Sequence, residues 1–205
     1  FLENFSLDII NSVVNEIANQ NRGLIDNPSD ESRAQFLELL EAKFDNLINI
    51  WGAHTEFCNE FADYTFEMFI AYSTELFQRI NQLRFAENGI VIPDALLLKM
   101  KLTVHAILRA KEELSSYTGL IFSGFGEDEI YPQLIPVNIS MVVDSRLRFY
   151  INEQRAASIS NNNNGAVCPF AQTDVIDTIL TGIDPSLDNI YLNNFDALFK
   201  KYNQA

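Results

Sequence analysis

The hydrophobic period changes once along this chain, and that change constrains the fold more than any other feature. Up to about residue 117 the apolar residues recur at helical spacing; beyond it they form short continuous or alternating runs. The turning point is Gly119-Leu-Ile-Phe-Ser-Gly-Phe-Gly126, followed by Glu127-Asp-Glu-Ile-Tyr-Pro132. A short apolar run ending in Gly124 and Gly126 reads as a buried strand leaving the core, with turns where a side chain would obstruct the backbone. The expected class is α+β, with helices first and an antiparallel sheet after them.

Four helices are expected ahead of the change. Leu2, Phe5, Ile9, Ile10, Val13, Val14 and Ile17 mark one face of a helix over 2–19, which Gly23 ends. Ser29 or Asp30 supplies a cap for a second helix running to about Trp51. Thr55 is read as the cap of a third and very long helix to about Phe85, with Phe57, Phe61, Tyr64, Met68, Phe69, Tyr72, Leu76, Ile80 and Leu83 inward. After Asn88-Gly89, Pro93 and Asp94 open a fourth helix to about Tyr117. The third and fourth are each expected to span about 35 Å and to pair antiparallel.

Leu120-Ile-Phe122, Leu134 to Val143 and Leu147 to Ile151 follow as strands, the middle one alternating through Ile135, Val137, Ile139, Met141 and Val143. Asp144-Ser145 is the hairpin turn, and a meander of this kind is most simply antiparallel. Asn161 to Asn164 with Gly165 reads as an exposed polar loop. Thr173 to Thr181 reads as a helix capped by Gly182, and Leu187 to Tyr202 as a last helix. The chain is thus one domain or a fragment of one: 1–117 helical, 118–160 antiparallel strands, 161–205 C-terminal helices. Three or four strands make one sheet at most. Its face opposite the helices, with Phe122, Ile135, Val137 and Ile139 or their alternates, is expected to be apolar and to need a cover.

Charge and chemistry narrow the functions. Of 205 residues, 28 are acidic and 14 basic, a formal net charge of -14. That disfavours nucleic acid and anionic membrane as partners, since both call for a cationic face. No run reaches the length of a spanning helix. Cys58 and Cys168 are too few and too far apart for a disulfide framework or a zinc site, so free thiols in the cytoplasm are expected. His54 and His105 are the only histidines. His105 sits mid-helix among apolar residues, as a buried structural histidine would. His54 lies near Cys58, but a base without an orienting partner and a nucleophile makes no catalyst. Glu127-Asp128-Glu129 points its carboxylates in different directions and reads as a solvated turn rather than a cation site. Ser123-Gly-Phe-Gly126 lacks the spacing of a phosphate loop. No catalytic residue, cofactor-binding residue or metal ligand is assigned.

The order of elements resembles the second half of a proteasome-like N-terminal-nucleophile hydrolase, most closely uncharacterised bacterial members. The likeness rests on the strand and loop from Gly119 to Leu134, the hairpin from Ile139 to Tyr150, and the later Pro169-Phe-Ala-Gln172 and Gly182-Ile-Asp-Pro185. It implies part of a four-layer αββα sandwich, in which two antiparallel sheets pack between helix layers. Chemistry in that family belongs to an N-terminal Thr, Ser or Cys, whereas this chain begins Phe1-Leu-Glu. The resemblance therefore places a catalytic half upstream of Phe1. It implies a partner, either that missing N-terminal segment or further copies in a homo-oligomer, and carries over no active-site residue. The alternative expectation is a non-enzymatic assembly subunit whose aromatic-rich helices dock other chains.

Overall fold

The computed structural model describes residues 1–21, 29–160, 163, 165, 166, 168, 173–184, 187, 190, 191 and 195. The fold they form is α+β, a set of helices followed by an antiparallel sheet. The residues cluster in two compact units, 1–122 with 136–153, and 123–135 with 154–205.

In the first unit, α1 (Leu2–Gln20) buries Leu2, Ile10, Val13 and Ile17 of the expected stripe together with Ser6, while Phe5, Ile9 and Val14 are only partly buried. The end assigned to Gly23 lies outside the described residues. Helix α2 (Asp30–Gly52) opens on Ser29, whose hydroxyl accepts from the Ser32 amide. It turns Leu40 and Phe44 into the core.

The third helix starts a full ten residues later than expected. Helix α3 (Phe66–Arg84) is capped by Thr65, whose Oγ1 accepts from the Met68 amide. Thr55 caps nothing among the described contacts. Residues 53–65 form no α-helix, only a short 3-10 turn at Asn59–Phe61, because backbone groups at the start of the segment bond elsewhere. The Cys58 amide donates to Arg109 O, the Lys111 amide donates to Glu56 O, and Phe57 bridges Ala110. The buried face of α3 runs Phe69, Ser73, Phe77 and Ile80, so Met68, Tyr72 and Leu83, expected inward, are exposed.

Helix α4 (Asp94–Arg109) follows a left-handed Gly89 at φ 70. It ends eight residues short of Tyr117, since Ala110 is extended at ψ 138. At 16 residues it measures about 24 Å. It packs on both α2 and α3, more extensively on α2. There Lys99 reaches Glu41 and Asp45 at 2.8 and 2.7 Å.

The sheet carries strands β1 (Thr118–Gly124), β2 (Gln133–Val143), β3 (Arg146–Ile151) and β4 (Ala157–Ser158), with β2 central. The β2–β3 hairpin is antiparallel and closes through Asp144 and Ser145 at φ 50 and 62. Two positive φ values in a two-residue loop match the right-handed twist of the flanking strands. Register slips by one residue between Ile139 and Met141, leaving Ser140 as a bulge.

The bulge corrects the expected alternation. Beyond it Met141 and Val143 face the core, as the odd-numbered pattern demands; before it Pro136 and Asn138 are the buried residues instead.

In the second unit, β4 pairs with the start of β2 through Gln133↔Ser158 and Leu134↔Ala157. Helix α5 (Thr173–Thr181) ends where expected, at a left-handed Gly182 whose amide donates to Thr178 O. Most of the segments 161–164 and 187–202, and all of 169–172, lie outside the described residues.

Candidate functional site

Residues directly opposite each other in an antiparallel pair share a face of the sheet. The β2–β3 register therefore sorts the hairpin into two surfaces. Met141↔Arg148 and Val143↔Arg146 look toward the helices, and Asn138↔Tyr150 joins them once the bulge is passed. Val142↔Leu147, Ile139↔Phe149 and Val137↔Ile151 form the other surface. Six of those six side chains are apolar. Val142 is 55% exposed and Leu147 and Ile151 38% each. Strand β1, the neighbour of β2, is exposed along its whole length rather than buried as its apolar run suggests, and its Leu120, Ile121 and Phe122 alternate between the two faces. An edge strand built from aliphatic and aromatic residues also leaves a row of backbone groups without a strand partner, which soluble proteins usually cover or guard with charge. This apolar outer face is the candidate site.

The inner face is fixed by a group that sequence reasoning passed over. Arg148 is fully buried. Its Nε donates to Leu108 O at 2.9 Å, its Nη2 to Ala110 O and Glu112 O at 2.8 and 2.9 Å, and its Nη1 to Ser140 Oγ at 3.3 Å. Three of these acceptors are carbonyls at and just past the C-terminus of α4, where the helix dipole favours a cation. Burial still lowers the guanidinium's pKa. The only signal in the sequence is a charged residue at a position where the strand alternation calls for an inward side chain.

Beside it, Glu113 accepts from Asn138 Nδ2 at 2.6 Å. At the hairpin turn Arg146 grips Asp63 at 2.6 Å and holds that carboxyl below its usual range. The Arg146 guanidinium also lies 5.2 Å from the centroid of the Tyr64 ring. Burial, with the Asp144 carboxylate next in effect, raises the Tyr64 phenol's pKa.

The residues weighed for chemistry are drawn to separate tasks. Cys58 is buried and its thiol donates to Ala110 O at 3.4 Å. Burial raises its pKa, the reverse of what a nucleophile needs. His54 stacks on Trp51 at 4.9 Å and reaches Glu112 at 3.5 Å. Buried His105 donates from Nε2 to Tyr64 O at 2.9 Å, among the rings of Tyr64, Phe66 and Phe69. Burial is the main cause of its lowered pKa. In the second unit Glu129 folds back to accept from the Gly126 amide at 3.1 Å and from Gln133 Nε2, which makes the acidic run a closed turn. Among the described residues no group of three or more His, Cys, Asp or Glu could hold a metal, and no helix is long and apolar enough to cross a membrane. No protein-family model, no curated protein and no solved structure matches the chain.

Proposed function

We propose that this chain is the helix-backed half of a sandwich, and that its role is to receive a second β-sheet on the outer face of β1–β2–β3. The observation that carries the reading is the run of paired apolar residues on that face, with Val142 and Leu147 opposite each other and both exposed. A sheet face of this composition is stable only when a second apolar layer lies on it, about 10 Å away. Leaving it in water costs about 25 cal/mol for each Å² of apolar area.

A portion of an N-terminal-nucleophile hydrolase-like protein has this requirement, because two such sheets meet in the middle of that sandwich. On this reading the reacting Thr, Ser or Cys comes with the second sheet, and this half supplies scaffold. The free thiols of Cys58 and Cys168 are in keeping with a cytoplasmic setting. The non-enzymatic alternative, an assembly subunit, uses the same face. The aromatic side chains of Phe61, Tyr64, Phe69 and Phe77, however, are spent in the core rather than offered to partners.

Sedimentation velocity of the isolated chain across a dilution series tests the surface, with Leu147→Lys as the control. We expect reversible association of the parent and binding of a hydrophobic dye, both much reduced in the variant. A compact monomer that binds no dye would remove the half-sandwich reading. The encoded residues ahead of Phe1 then separate the two functions: a Thr, Ser or Cys opening a strand favours the hydrolase, and a nearby start codon the assembly subunit.

A further inference from the structure

On the helix side of the first unit, a cavity of about 680 Å³ opens between α1, α2, the segment 114–116 and the bulge of β2. We propose that it binds an amphiphilic small molecule with a long apolar body and a carboxylate head. The volume falls within the range of ligand pockets, about 300–1,000 Å³. Phe5, Ile9, Val13, Leu47, Leu114 and Met141 give it apolar walls. Apolar walls alone would not select a head group; the polar end does.

Ser140, the bulged residue, lines the cavity and already accepts a hydrogen bond from Arg148 Nη1 at 3.3 Å. With its oxygen engaged from behind by a cation, the hydroxyl has its own proton left to give. No other partner holds that proton among the described residues. Arg148 is fully buried and forms no ion pair among the described residues, so a positive charge stands behind the cavity wall, hydrogen-bonded to carbonyls and this hydroxyl, with the Glu112 carboxylate and the Cys58 thiol acting on it from further off. A carboxylate accepting from Ser140 would lie one hydroxyl away from that charge. Ser115 and Ser116 line the cavity too and offer further hydroxyl donors.

The acidic residues of the lining do not cancel this. Glu16 is bound by Lys43 at 2.5 Å, which lowers its pKa, and Asp8 is exposed, where water and salt screen it. A bulge that re-aims a side chain into a cavity is a common device beside ligand sites.

The test is calorimetric titration of the full chain with dodecanoate, dodecan-1-ol and dodecyltrimethylammonium, each below its micelle concentration. Dodecanoate should bind at one site per chain, with the alcohol about tenfold weaker, the ratio expected for losing a charged hydrogen bond, and the ammonium weaker again. Ser12→Trp, on an exposed position of the lining, fills the cavity without disturbing the core and should weaken dodecanoate by about tenfold or more. Ser140→Ala should bring dodecanoate down to the level of the alcohol. Leu147→Lys, on the opposite face of the sheet, should leave the titration unchanged. The proposal is overturned by absent binding, by an ammonium that binds as tightly as the carboxylate, by an unchanged Ser12→Trp protein, or by a loss in Leu147→Lys that moves the site to the outer face. Circular dichroism of each variant separates a lost site from a lost fold.

Discussion

Arg148 occupies one position in a short strand, yet its guanidinium takes up carbonyls that α4 leaves without helical partners. Cys58 shares the Ala110 oxygen, so the segment before α3, the end of α4 and the hairpin meet at one group of polar atoms. Removing the fork takes this partner from Leu108 O and Glu112 O, while Ala110 O keeps Cys58 and the Glu112 amide. We expect Arg148→Met to lower unfolding free energy by about 3 kcal/mol, measured by urea titration, because buried unpaired acceptors cost more than the bonds return. Arg148→Lys restores the charge without the planar fork and should recover less than half of the loss. His105 gives a separate test, in pH. Unfolded, it titrates near pH 6.5. Folded, burial holds its pKa lower, assisted by the Arg109 charge and opposed by the Tyr64 carbonyl and Glu67. Between the two values the unfolded chain carries more protons, so stability rises with pH there. The contribution is complete above about pH 6.5 and is lost as pH falls toward the folded value. Thermal midpoints recorded from pH 7.5 to 5.5 should therefore decline, and His105→Gln should flatten that part of the slope.

At the scale of elements, α3 begins at Phe66 because Thr65 caps it, Glu56 to Cys58 pair with the end of α4 and the residues between form a 3-10 turn. Thr65→Ala should cost about 1 kcal/mol in chemical denaturation, and Thr55→Ala close to nothing. Equal losses would restore the longer helix. The turn makes the opposite kind of test, since Ser145 holds φ 62 without the freedom of glycine. Ser145→Gly should stabilise the hairpin by a few tenths of a kcal/mol up to about 1. Much of this layer was legible in the sequence. The stripe of α1, the Ser29 cap, the Asp144-Ser145 turn and the Gly182 cap each follow from local chemistry that needs no tertiary partner. The failures share one cause. Helical spacing continues from Phe57 to Phe61 and Tyr64, and nothing local reveals that Arg109 and Lys111 will engage that backbone from across the fold. The Ser140 bulge is invisible for the same reason, because an inserted residue shows only against a partner strand. As for the candidate site, its apolar outer face was foreseeable from strand alternation. Its membership was not, since the bulge decides which residues face the core.

For the whole molecule, charge and the outer face act in opposite directions. Each chain carries a formal -14, so two copies repel through solvent at low ionic strength. The hairpin pairs on the outer face, Val142↔Leu147, Ile139↔Phe149 and Val137↔Ile151, contain no charged side chain. Contact there gains from apolar burial and is opposed by charge distributed over the rest of the surface. Salt therefore separates this contact from an ion-paired one. Raising ionic strength from about 0.01 to about 0.1 M shortens the screening length from about 30 to about 10 Å. The repulsion weakens while burial is little changed, so self-association of the isolated chain should strengthen. In sedimentation equilibrium the dissociation constant should fall across that range, and Leu147→Lys should show weak association at both ends. An interface held by pairs such as Arg79–Glu3 or Lys111–Glu56, exchanged between copies, would loosen as salt rises. A dissociation constant that climbs with salt would thus reject the outer face as the contact surface, even if the chain proves to be an oligomer.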